Sequence, residues 1–110
     1  MIRITTVLGD VLVDDRKTGR SQMARSGMTL DPMGDYLIAT MATSHAVITL
    51  NGQGIKLEPS SYLRICGDRC HGGPHHEPLW ERFLGRLWAQ VDRNPRDPNA
   101  GVQGGGGVRG

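Results

Sequence analysis

Two cysteines and three of the four histidines of this 110-residue chain fall within eleven positions, Cys66-Gly-Asp-Arg-Cys70-His71-Gly-Gly-Pro-His75-His76. That density of sulfur and imidazole opens four chemistries. Cys66 and Cys70 can close a small ring as a local disulfide, or stand as two free thiols in a polar loop. With His71, His75 and His76 they can supply soft and borderline donors to zinc. The spacing is not that of a finger or ribbon, and the surrounding glycines would leave such a site loose. Finally, C-x3-C-H is one residue longer than the C-x-x-C-H run that attaches haem c. His71 would then be the proximal ligand, with His75 and His76 too close in sequence to serve well on the distal side. Spacing alone does not choose among the four.

Elsewhere the signal for chemistry is thin. Ser44 and His45 are adjacent in an extended run, where neighbouring side chains point to opposite faces, so they cannot form a proton relay. Asp14, Asp15, Asp31 and Asp35 sit at turn positions, and Asx hydrogen bonds account for them. The chain contains no P-loop, H-E-x-x-H or dinucleotide-binding glycine fingerprint. Gly104 to Gly107 follows no strand and opens no helix, so it is no phosphate cradle. These residues predict a protein without a catalytic centre and without a cofactor, zinc or covalent haem c being the alternatives at the Cys/His loop.

The elements that must position that loop read as short strands. Ile2 to Val7 alternates branched and polar side chains, and Val11 to Val13 resumes the pattern after Gly9-Asp10. Asp14 to Gly19 is a polar hairpin loop with Gly19 as its left-handed residue. Gln22 to Leu30 is a weaker segment ending at the turn Asp31-Pro32-Met33-Gly34-Asp35. Tyr36 to Thr40 and His45 to Leu50 are rich in Ile, Val and Thr. Asn51-Gly52 then leads into Gly54 to Leu57, the strongest short-range hairpin signal, because a type I′ turn needs φ > 0 at both central residues. Alternation places Ala46, Ile48 and Leu50 on one face, with Ile55 and Leu57 as cross-strand partners. Pro59 to Ser61 turns the chain again before the strand Tyr62 to Ile65. Beyond the Cys/His loop, Leu79, Trp80, Phe83, Leu84, Leu87, Trp88 and Val91 fall at helical spacing.

Composition narrows the class. A chain of 110 residues makes one domain. Sixteen glycines against six prolines point to many turns rather than long helices. The net charge of +2 is spread among interleaved acids and bases, without the basic stripe and stacking aromatics of a nucleic-acid binder. No apolar run approaches the ~18 residues of a membrane span, and Met1 to Asp10 lacks the apolar core of a secretory signal.

The stretch Val7 to Ile65 resembles the FecR domain. The resemblance is carried by V-L-G-D-V-L-V (Val7 to Val13), S-G-M-T-L (Ser26 to Leu30), Gly34-Asp35, S-H-A-V-I-T-L-N-G (Ser44 to Gly52) and I-K-L-E-P-S-S-Y-L-R-I (Ile55 to Ile65). G-R-L-W-A-Q-V (Gly85 to Val91) is similar to the family's glycine-led strand, and Gly107 to Gly110 to the start of its late G-V-R-G-T signature. It implies an all-β fold, a twisted antiparallel sandwich or solenoid-like domain over residues 1–95 with the Cys/His loop 66–76 inserted. A glycine-rich tail, 96–110, follows. The family would make Arg86 to Val91 a strand where spacing suggests helix. The combined expectation is a short helix at 77–84, a break at Gly85, then a strand.

The resemblance also implies a non-catalytic module for protein or envelope-associated binding and signalling, placed in the periplasm or outside the cell. The lack of a leader in these residues also allows the cytoplasm. An oxidising compartment favours the Cys66–Cys70 disulfide. The sigma-factor-binding segment and membrane span of the full regulators have no counterpart here, so an anti-sigma role does not transfer. The family's closing strand would lie beyond Gly110. That motivates a second expectation, a structural subunit of a homo-oligomer or filament that assembles through an exposed β edge and the C-terminal tail.

Overall fold

The computed structural model describes residues 1–67, 80–84 and 87–94. These residues form ten strands: β1 (Ile2–Leu8), β2 (Val11–Asp15), β3 (Arg20–Met23), β4 (Met28–Leu30), β5 (Asp35–Thr40), β6 (His45–Leu50), β7 (Gln53–Leu57), β8 (Ser61–Cys66), β9 (Trp80–Leu84) and β10 (Leu87–Arg93). They make a four-stranded sheet in the order β4-β1-β6-β7 and a six-stranded sheet in the order β3-β2-β5-β8-β10-β9. Every neighbouring pair is antiparallel. The fold is an all-β sandwich.

Two-residue alternation builds the core. In the smaller sheet Ile2, Ile4, Ala46, Ile48, Leu50 and Leu57 are fully buried. In the larger one Val11, Val13, Ile38, Leu63, Ile65 and Ala89 meet them in a single apolar cluster. Burying such faces is the dominant favourable term in folding. The expected register of the second hairpin is observed, with Ala46 opposite Leu57 and Ile48 opposite Ile55. Its turn has Asn51 at φ 50° and Gly52 at φ 85°, the geometry that a two-residue hairpin of matching twist requires.

One departure from simple alternation lies in β1. Ile2 and Ile4 face inward, and strict alternation would bring Thr6 in next. A bulge between Ile4 and Thr6 shifts the pairing with β6, so Val7 lies opposite Ala46 instead. Thr5, the extra residue, donates its hydroxyl to the Val47 carbonyl at 3.0 Å. A bulge turns the strand by one position, which is why I-R-I-T-T-V has its apolar residues out of phase.

The helix expected over 77–84 is corrected in the part that is described. Trp80–Leu84 is a strand, β9, paired with β10 from Leu84 opposite Leu87 to Trp80 opposite Val91. Residues 77–79 lie outside the described residues. The apolar spacing of β10 comes from burial on both faces. Leu87 and Ala89 join the core cluster while Trp88, at the alternate position, is also buried, so two-residue alternation is hidden and the spacing imitates a helical stripe.

The weaker segment, Gln22 to Leu30, is divided between two strands. β3 pairs with β2 in the larger sheet and β4 pairs with β1 in the smaller. Gly27, at φ 89°, makes the corner between them and donates its amide to the Ile4 carbonyl at 2.7 Å.

Candidate functional site

The two faces of the six-stranded sheet differ in kind. Its inner face is apolar core, whereas the outer positions of β5, β8 and β10 form a polar cluster. Register puts Asp35 opposite Cys66 and Leu37 opposite Arg64 across β5 and β8. Across β8 and β10, Cys66 lies opposite Trp88, Arg64 opposite Gln90 and Tyr62 opposite Asp92. Outer positions of a sandwich are ordinarily wet, yet Trp88 is 4% and Gln90 2% exposed. Arg64 and Asp35 beside them keep 26% and 21% of their side chains exposed, so this part of the outer face is partly covered.

Charge is balanced within the cluster. Arg64 Nη2 lies 3.5 Å from Asp35 Oδ2, and Arg16 Nε lies 4.0 Å from Asp35 Oδ1. The Arg64 guanidinium stands over the Trp88 ring, 5.8 Å from its centroid, within the range of a cation–π contact. Burial raises the pKa of the Tyr62 phenol above its ordinary value, and the neighbouring Asp92 carboxylate raises it further, while Arg64 and Arg16 pull the other way. Among the described residues, Asp35 Oδ1, Arg64 Nε and Gln90 Oε1 are buried with no hydrogen-bond partner.

Cys66 belongs to this face. It is 4% exposed, at the end of β8 beside Asp35 and Trp88, and it is disulfide-bonded. A sulfur in a disulfide is not a thiolate ligand. Cys70, His71, His75 and His76 lie outside the described residues, so of the five candidate disulfide, metal or haem residues only Cys66 is described. Among the described residues, no three His, Cys, Asp or Glu side chains gather as a metal cluster.

Ser44 and His45 are placed differently from the extended pair expected of them. His45 opens β6, whereas Ser44 precedes it in the corner after β5. Among the described residues, the Ser44 hydroxyl and His45 Nδ1 are each buried without a hydrogen-bond partner, so they do not bond to one another.

A second surface stands out at the far side of the same sheet. β3 is an edge strand, and all four of its residues are exposed. Beside it, Met23, Leu12, Met41 and Asp10 line a shallow cleft of about 350 Å³. Met23 is 51% exposed, and Leu8, at the end of β1, is 60% exposed. The sequence reading missed this edge. R-S-Q-M has neither strong β formers nor clear alternation, and its extension comes from pairing with β2. The signal that could have found it is the polar hairpin loop ending at Gly19, which commits the next residues to run back along β2.

Among the described residues, no helix is long and apolar enough to cross a membrane. Compared with known protein families, curated proteins and solved structures, the chain matches none.

Proposed function

We propose that this chain is a non-catalytic binding module of the FecR type, working in the cell envelope, which takes up an extended polypeptide segment along the open edge of β3. The observation that carries this reading is the combination of an edge strand exposed at every residue with an apolar cleft at its end. An edge strand presents a row of unpaired amides and carbonyls, and strand addition satisfies them while a neighbouring pocket reads a side chain. Natural sheets blunt such edges with lysine, proline or a bulge. The run Ser21-Gln22-Met23 carries none of these. The polar cluster around Arg64 and Asp35 fits a supporting part, since its charges are already paired with one another.

Panning a displayed peptide library on the intact protein tests this. Enriched peptides should slow hydrogen exchange at the Ser21 and Met23 amides, and a Met23→Pro variant should lose them. Peptides that protect another surface, or that bind the variant equally well, overturn the assignment of β3.

A further inference from the structure

Backbone bonding along β3 decides what can lie against it. Ala24 donates its amide to the Val11 carbonyl at 2.7 Å. That contact extends the register in which Val13 faces Gln22 and Asp15 faces Arg20. In an antiparallel ladder, residue pairs that exchange hydrogen bonds alternate with pairs that do not. Gln22 therefore directs its amide and carbonyl at β2, while Ser21 and Met23 direct theirs away from the sheet.

We infer that the segment taken up by this edge is β3 of a second copy, in an antiparallel two-fold register centred on Gln22; this rests on β3 being the docking edge. In that register Ser21 lies opposite Met23 of the second copy and Met23 opposite its Ser21. Each pair exchanges two bonds, and every outward amide and carbonyl of both residues is used. A register centred on Ser21 or on Met23 satisfies only one pair. A register centred between two residues sets outward groups against groups already bonded to β2.

Charge agrees with this register. Arg20 is the charged residue of β3, and it falls opposite Ala24 of the second copy, so no like charges meet. Gln22 faces its own copy, and a carboxamide offers both donor and acceptor to its twin. The two-fold axis stands perpendicular to the joined sheet, so the two clefts lined by Leu12, Met23 and Met41 open on one side of a continuous sheet of twice six strands.

The two-fold register makes a cross-linking experiment specific. Opposed Gln22 residues form a non-bonded pair with Cα atoms ~4.5 Å apart, within the span of a disulfide. Gln22→Cys should therefore join two copies under mild oxidation, with the link mapped to the introduced thiols by mass spectrometry. Ser21→Cys, which faces Met23, should not. Sedimentation equilibrium of the native chain should show reversible dimerisation, and Met23→Lys should raise the dissociation constant roughly tenfold or more. A native chain that remains monomeric, or cross-linking by Ser21→Cys in place of Gln22→Cys, overturns the inference. If a library peptide still protects Ser21 and Met23 in that monomer, the docking edge stands and only the second copy falls. If no peptide does, both fall.

Discussion

Tyr62 reports most directly on the polar side of the larger sheet. Burial and the Asp92 carboxylate both penalise its phenolate, and Arg64 and Arg16 offset only part of that, so its pKa lies above the ordinary 10.0. The sign of the consequence follows. Below the unfolded value both states hold the proton and the contribution to stability is complete. As pH rises past it, the unfolded chain ionises first, and stability is lost until the folded phenol ionises too. The difference in phenolate absorbance between the native chain and Tyr62→Phe should therefore have a midpoint above pH 10. Asp92→Asn should move that midpoint down. A Tyr62 midpoint at or below the ordinary value would remove the case for a partly covered outer face. The neighbouring Arg64 shows why single residues here resist reading from sequence: its partners Asp35 and Trp88 come from other strands.

At the scale of elements, the corner between β1 and β2 carries the chain from one sheet to the other and tolerates little. Gly9 has φ +83°, and a Cβ built there would stand 2.8 Å from the Ser44 hydroxyl oxygen and 3.2 Å from the Ser44 Cα. Gly19 has a similar φ of +78° with nothing within 4 Å. Both lose about 1–2 kcal/mol from the left-handed backbone when replaced by alanine, but only Gly9 adds a collision. Urea unfolding should therefore show Gly9→Ala clearly less stable than Gly19→Ala, and equal losses would mean the corner opens without cost. The same scale explains the corrected helix. β10 buries apolar side chains on both faces, Leu87 and Ala89 on one and Trp88 on the other, a pattern one-dimensional spacing cannot separate from a helical stripe.

For the whole molecule, the base of the sandwich is tied by a buried polar knot. Asn94 donates its side-chain amide to the Thr40 carbonyl at 3.0 Å and its backbone amide to the Ser60 carbonyl at 2.9 Å. Thr40 in turn donates its hydroxyl to the Glu58 carbonyl at 2.6 Å and accepts from the Ser61 amide at 3.0 Å. The knot joins the end of β10 to the corners after β5 and β7. Asn94→Ala leaves the Thr40 carbonyl short of a partner in a dry place, and the expected loss is about 1–3 kcal/mol in urea unfolding. A loss confined to a few tenths would show that the knot merely accompanies the packing around it.

The sequence by itself determined the class of fold, the strands from Ile2 to Ile65 other than β3 and β4, the Asn51-Gly52 turn and the pairing of β6 with β7. Those depend on local alternation and on the φ each turn residue can adopt. Only the tertiary structure decided the bulge at Thr5, the division of Gln22 to Leu30 between two sheets and the strand at Trp80–Leu84. It alone placed Arg64, Asp35, Tyr62 and Trp88 on one face and left β3 as an open edge. Each of these depends on which distant strand supplies the neighbour. That choice is made by burial of the shared core and by completion of the hydrogen-bond ladders, neither of which is written in the spacing along one strand.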